Sequence, residues 1–171
     1  GKEQASRILR KERSPHEPPL EVRADPNGKP FLSGDKAAIS LSHSGTLLAL
    51  YIGPENAGID IERIKKRDNA TEIAQMFFPA EETARCFLAG SFDLHRFYRA
   101  WTEREATLKR YGLTLAAKIP AGTHAAKHWC LTVPGLDGTN GADYALCLSA
   151  SPEILETVEI RILSDANIDP A

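Results

Sequence analysis

The stretch GIDIER, residues 58–63, sets two acids one residue apart among isoleucines. Side chains on a strand alternate between faces, so Asp60 and Glu62 point one way and Ile59 and Ile61 the other. A buried carboxylate without a partner costs on the order of several kcal/mol. The stretch therefore predicts a half-buried strand whose acidic side faces a positive charge supplied from elsewhere.

Upstream, AAISLSH (37–43) alternates in the same way, with Ile39 and Leu41 on one face and Ser40 and Ser42 on the other. TLLALYIG (46–53) is a nearly continuous apolar run, suited to a strand covered on both faces. EQASRILRKE (3–12) reads as a helix with a basic face, RSPHEPPL breaks it, and DPNGKP (25–30) reads as a turn.

Downstream, the period changes from two to 3.6. ATEIAQMFF (70–78) and AEETARCFLAG (80–90) read as helices with Pro79 at a helix start, and residues 92–112 as a longer helix closed by Gly112. HWCLTV (128–133), DYALCLSAS (143–151) and TVEIRIL (157–163) return to strand patterns. The paired strands near each end echo one another. This predicts an α+β fold of antiparallel sheets and packed helices, with two similar halves (1–64 and 65–171) forming a pseudo-dimer around a cleft.

The composition is that of a globular chain of 171 residues, 42% hydrophobic and 26% charged. Lys+Arg total 21 against Asp+Glu at 23, a balance that gives no basis for bulk nucleic-acid or membrane binding. The three cysteines, Cys86, Cys130 and Cys147, form no CxxC and no zinc spacing, and are expected to be reduced core thiols. No signal-peptide pattern opens the sequence and no apolar run is long enough to span a bilayer, so the cytoplasm is the expected compartment.

A second acidic element lies in WTEREATLKRYG (101–112), where Glu105 and Lys109 share a helix face and Trp101 precedes them by one turn. Alone, the pair reads as a surface salt bridge worth about 0.3–0.5 kcal/mol. Together with Asp60 and Glu62, Glu105 could complete an oxygen-ligand set for Mg²⁺, with Lys109 beside a metal-bound phosphate.

NGKP, SLSHSG, GIDIE, FFPAEE and WTEREATLK occur in this order. The series resembles the ordered motifs of the 4′-phosphopantetheinyl transferases, in the pseudo-dimeric class typified by the surfactin-synthetase activator. The resemblance covers residues 28–112 most specifically. It implies an enzyme of holo-acyl-carrier-protein-synthase type that moves phosphopantetheine from coenzyme A to a serine of an apo acyl or peptidyl carrier protein, releasing 3′,5′-ADP. Such carriers serve fatty-acid, polyketide or nonribosomal-peptide synthesis.

By this resemblance Asp60, Glu62 and Glu105 are the Mg²⁺ ligands. Lys109 holds the coenzyme A pyrophosphate, Ser42, His43 and Asp60 lie against coenzyme A, and Gly28, Lys29 and Pro30 approach the nucleotide. Glu82 stands where the family has a carboxylate suggested as general base; a helix-start acid is the equally simple reading. Arg104 replaces the lysine usual before the glutamate. The family also carries residues before the opening helix, with basic contacts to the 3′-phosphate, for which Arg7, Arg10 and Arg13 are the available substitutes here. The pairing of halves within one chain implies a monomer.

The alternative is a carrier-binding member that has lost catalysis. A serine hydrolase built on Ser42 and His43 is disfavoured, because adjacent strand residues face opposite ways and the stretch is not G-x-S-x-G.

Overall fold

The acidic strand is the seam of the molecule. In the computed structural model, which describes residues 2–11, 21–26, 28–115, 117, 127–134 and 141–159, β5 (Gly58–Arg63) pairs antiparallel with β9 (Tyr144–Ala150), which pairs in turn with β8 (Lys127–Val133). Asp60 lies opposite Cys147, and Cys147 opposite Cys130. Across one face of this three-stranded sheet runs α4 (Leu94–Tyr111).

On the other side of β5 lies the hairpin of β3 (Ala38–Ser44) and β4 (Leu47–Gly53), in register Ser42↔Ala49. Serine side chains join β3 to β5. Ile59 N–H donates to Ser40 Oγ at 3.0 Å, Ser42 Oγ donates to Asp60 at 2.7 Å, and Ser44 Oγ donates to Glu62 and accepts from Arg63 N–H, both at 3.0 Å. The partners advance together along both chains, so β3 and β5 run parallel. The alternation of SLSHS thus serves two surfaces: its serines meet β5, while Ile39 packs with Ala5, Leu9, Val22 and Leu32.

That small core belongs to α1 (Lys2–Lys11) and to a hairpin of β1 (Glu21–Ala24) and β2 (Pro30–Ser33), tied together where Val22 N–H donates to Ser6 Oγ at 3.0 Å. A larger, aromatic core gathers Phe78, Phe97 and Tyr98 with Trp101, Phe77 and Phe92 beneath α2 (Ala70–Phe77) and α3 (Ala80–Arg85). Trp101 is anchored there, with ring centroids 6.0–6.1 Å from Phe77, Phe78 and Phe97. This fixes the helix one turn before Glu105.

Three local expectations are corrected. The helix expected through residue 90 stops at Arg85, and β6 (Phe87–Leu88) and β7 (Ser91–Phe92) form a tight hairpin through Ala89 and Gly90, both at positive φ. Mirror-image two-residue turns require that conformation, and the edge-on Phe87–Phe92 pair closes the hairpin at 5.4 Å. The long helix accordingly begins at Leu94, capped by Asp93 accepting from Arg96 N–H, and ends as expected at Gly112 with φ 65°.

After β9 the chain forms α5 (Pro152–Thr157), capped by Ser151, so Thr157 ends a helix; residues 160–163 of the expected strand lie outside the described residues. Finally, Cys130 and Cys147 are joined as a disulfide while Cys86 stays a buried thiol. The register of two adjacent antiparallel strands sets the bonded pair face to face, with Cα atoms 4.2 Å apart.

Among the described residues, no helix is long and apolar enough to cross a membrane.

Candidate functional site

Gly58 sets how closely α4 approaches β5. A Cβ at this position would collide with the carbonyl oxygen of Ala106 and lie 2.6 Å from the backbone nitrogen of Arg110. Strand and helix backbones therefore touch here, and only glycine allows it. The contact brings the acidic face of β5 under the carboxylate and ammonium of α4.

Asp60 is 3% exposed. Its Oδ1 accepts from Lys109 Nζ at 2.6 Å and from Ser42 Oγ at 2.7 Å, and Lys109 Nζ also donates to Ser42 Oγ at 2.9 Å. The positive charge facing GIDIE is thus the Lys109 ammonium, which reaches across to the strand rather than along its own helix to Glu105. Ser42, Asp60 and Lys109 form a closed triangle on three elements. The second oxygen of Asp60, Oδ2, is buried and has no hydrogen-bond partner among the described residues.

One ammonium serves three acids. Burial raises the pKa of Asp60, against the charge of Lys109 and its hydrogen bonds with Lys109 and Ser42. Glu62 is raised by burial and by the charge of Asp60, with the Ser44 hydrogen bond, Lys109 and Arg67 opposing. Glu105 is raised by burial and by Asp60, opposed by Lys109, with Glu62 adding and Arg104 opposing. Glu62 and Glu105 both feel the charge of Asp60, and Glu105 that of Glu62 as well, so β5 and α4 form one electrostatic unit with excess negative charge. Raised proton affinities shared among acids in this way mark sites prepared for a cation or for proton transfer.

Among the described residues, no three His, Cys, Asp or Glu side chains are drawn into a ready-made metal cage. The donor chemistry nevertheless fits a hard dication: three carboxylates, one buried oxygen lacking any partner, and mutual repulsion that a cation would relieve.

The other expected residues lie around this centre. His43 is exposed on the face of β3 opposite Ser42, which also removes the Ser42–His43 hydrolase reading. Gly28, with φ 86°, and Lys29 lie in the β1–β2 turn, and Pro30 opens β2. Lys29 and Pro30 line a cavity of about 270 Å³ together with Asp25, Phe31, Ile39 and Asn56. None of the three acids lines it. Lys29 Nζ donates to Asn56 Oδ1 at 3.4 Å.

Glu82, on α3, faces Arg104 at 3.8 Å, next to Glu105 but outside the triangle. Arg104 is otherwise well buried and its Nε has no partner among the described residues. Arg7 and Arg10 are exposed on α1, and Arg13 lies outside the described residues.

Two contributors escaped the motif reading. Gly58 was legible as the one residue of GIDIER without a side chain. Ser44 was legible as the third serine of SLSHS, in step with Ser40 and Ser42.

Residues 56–147 match the family model of the 4′-phosphopantetheinyl transferase superfamily, a span holding Asp60, Glu62, Glu82, Glu105 and Lys109. The chain is 39% identical over 88 residues to the 4′-phosphopantetheinyl transferase AcpT of Salmonella typhi, covering 50% of this chain and 46% of that protein. To AcpT of Escherichia coli K12 it is 35% identical over 88 residues, covering 50% and 45%. The chain thus spans about half the length of these relatives. With more than half of its residues inside the family match, and with both acidic elements of the site in that part, the chain belongs to the 4′-phosphopantetheinyl transferase superfamily.

Proposed function

We propose that this chain carries the catalytic centre of an enzyme that transfers 4′-phosphopantetheine from coenzyme A to a serine of an apo acyl or peptidyl carrier protein, releasing 3′,5′-ADP. The observation behind this reading is the buried Ser42–Asp60–Lys109 triangle, with Glu62 and Glu105 electrostatically coupled to it. It is an acidic centre with a single ammonium, suited to an anion that arrives together with a cation.

Asp60, Glu62 and Glu105 would hold Mg²⁺, which when bound neutralises charge on the pyrophosphate. Lys109 has three ammonium donors and two are engaged, with Asp60 and Ser42. It is positioned to meet the pyrophosphate and stabilise the charge that develops as 3′,5′-ADP leaves. Ser42 holds the ammonium in place by accepting from it while donating to Asp60. His43, exposed on the opposite face of β3 next to Ser42 in sequence, is the proposed donor to an outer phosphate.

The cavity at Lys29 and Pro30 is the proposed seat of the nucleotide end. It is lined by Ala38 and Ile39 at the start of β3, and Ser42 lies four strand steps beyond Ala38, about 13 Å. That span suits a ligand extending from the cavity to the acids.

Glu82 is the proposed base for the carrier serine, a role in which its carboxylate would leave Arg104. The chain is further proposed to be a cytoplasmic monomer of the pseudo-dimeric class. Its halves, 1–64 and 65–171, would each contribute a hairpin of the β3–β4 or β8–β9 kind, with β5 at the joint between them.

The test is intact-mass spectrometry of apo carriers from fatty-acid, polyketide and nonribosomal-peptide systems incubated with the chain, coenzyme A and Mg²⁺. A gain of the phosphopantetheine mass on the carrier serine is the expected result. No gain on any carrier, with coenzyme A binding retained, would favour the carrier-binding alternative.

A further inference from the structure

The flank of α4 away from the acids bears a second polar arrangement. Thr107 Oγ1 lies 2.6 Å from His128 Nε2 on β8 and donates to the backbone oxygen of Glu103 at 2.8 Å. His128 Nδ1 faces Glu103 Oε1 at 3.6 Å, and the other oxygen of Glu103 accepts from Arg85 of α3 at 3.0 Å. The hydrogen of the short Thr107–His128 contact lies on Oγ1 or on Nε2 according to the imidazole tautomer. One imidazole thus grips two successive turns of α4, and Glu103 links that grip to α3.

Helical positions are about 100° apart, so Glu103 and Thr107 stand roughly 160° from Glu105, which lies midway between them in sequence. Ala106 and Thr102 fill the underside between the two flanks, Ala106 against Gly58 and Thr102 donating to Cys147 Sγ at 3.3 Å. One flank meets β5 through Lys109, and the other meets β8 through His128. Trp101 anchors the preceding turn in the aromatic core; beyond it the floor is made of small residues, and the two flanks set the rotation of this part of α4.

A roll of 10° moves a side-chain tip 5–6 Å from the axis by about 1 Å. That is enough to break the 2.6 Å contact of Lys109 with Asp60, and misplacement of this size can cost about 100-fold in rate.

We propose that His128 is a positioning residue for the transfer reaction: by clasping Thr107 and Glu103 it sets the rotation of α4 and thereby the placement of Glu105 and Lys109 over Asp60. The proposal rests on the function given above for that site. It adds a residue that touches neither coenzyme A nor metal.

The test compares the parent with His128→Ala, His128→Gln and Thr107→Val, each checked for folding by circular dichroism. Steady-state transfer and amide hydrogen exchange over residues 103–109 are measured on all four. His128→Ala is expected to lower kcat by about 10–100-fold and to raise KM for coenzyme A several-fold, leaving KM for the carrier unchanged. A mere loss of folded protein would lower kcat alone. His128→Gln keeps an N–H near the Nε2 position and should restore most of the rate, while Thr107→Val should mimic the alanine variant. Exchange in α4 should quicken in the alanine and valine variants and return towards parental in His128→Gln.

Folded His128→Ala with parental exchange, or with parental kcat and KM, overturns the proposal. If the parent itself transfers nothing, the function assigned to the acids fails and exchange alone decides the role of His128. If His128→Ala does not fold, Thr107→Val against His128→Gln decides it: parental behaviour in the valine variant sinks the clasp.

Discussion

The two flanks of α4 are opposites in their polar accounting. Towards β5, three carboxylates share one ammonium, a buried carboxylate oxygen has no partner, and every acid is held above its ordinary pKa. Towards β8, Arg85 donates to Glu103, Thr107 donates to the Glu103 backbone, and His128 lies within reach of both Glu103 and Thr107. Each flank uses residues four apart on the same helix, offset from the other by two, so neither propensity nor amphipathic pattern distinguishes them. What distinguishes them is whether the polar groups are satisfied within the chain. A flank left in deficit at a cost to stability is where a ligand completes the structure.

The largest effect should come from removing an acid of the deficit flank. Glu105→Ala and Asp60→Ala are expected to reduce transfer by about 10³-fold or more, since electrostatic groups of this kind are each worth roughly that much. Their effects on metal-free stability should diverge. Glu105→Gln removes a raised acid with no direct ion pair and should raise Tm by a few degrees, about 1 kcal/mol being worth 2–4 °C in a chain this size. Asp60→Asn deprives Lys109 of its ion pair and should lower Tm. Thermal unfolding with and without Mg²⁺ checks both, and parental transfer by Glu105→Ala would end the metal-site reading.

Gly58→Ala attacks the contact on which both flanks depend. Its Cβ meets backbone rather than a movable side chain, so a loss of about 3 kcal/mol, at the upper end of overpacking costs, is expected in urea unfolding. A loss below 1 kcal/mol would mean that α4 can lift from β5 without consequence.

The flanks should also respond oppositely to pH in the metal-free protein. Glu105 has a raised folded pKa, so the folded chain takes up its proton first as pH falls. The stability advantage of Glu105→Gln over the parent should therefore shrink as pH drops through that raised value towards 4.5, the ordinary value. His128 is lowered, by burial and then by Arg110 and Arg85 against the pull of Glu103. Here the unfolded chain protonates first, so the parent should lose stability relative to His128→Gln as pH falls below 6.5. Parallel curves for parent and variant across pH 4–7 would refute either half.

The smallest effect belongs outside α4. Lys65 and Lys66 are exposed just beyond the acids, and Lys66 meets the equally exposed Asp68 at 3.5 Å. Reversing both to Glu should raise KM for an acidic carrier several-fold at low salt and flatten its salt dependence. An unchanged KM at low salt would remove this run as a docking element.

Much of this could be read from residues in order. The serines of SLSHS, the acids of GIDIE and the Glu105–Lys109 pair all fall on the faces that strand and helix periods assign them. The periods give no distances between elements. The residues pointed to a magnesium ion as the charge facing Asp60, with Lys109 beside a metal-bound phosphate, whereas in the structure the Lys109 ammonium itself makes that contact. The Cys130–Cys147 bond is likewise a fact of register between β8 and β9, which no count of cysteines contains. The β6–β7 hairpin was hidden because Ala89 at φ 47° is an unusual turn residue. By contrast, Ser151-Pro152-Glu153 announces the start of α5 by ordinary capping rules, and a strand reading of TVEIRIL obscured it.

The serine seam between β3 and β5 has an evolutionary consequence. A backbone ladder is nearly indifferent to which residues form it, so it can be weakened only by breaking a strand. Here each rung is a hydroxyl encoded by its own codon, and Ser40, Ser42 and Ser44 could each be lost while β3 keeps its pairing with β4. The grip between the two blocks can therefore drift one rung at a time, with Ser42 and Ser44, which hold Asp60 and Glu62, tied to the acidic site and Ser40 only to the backbone of Ile59.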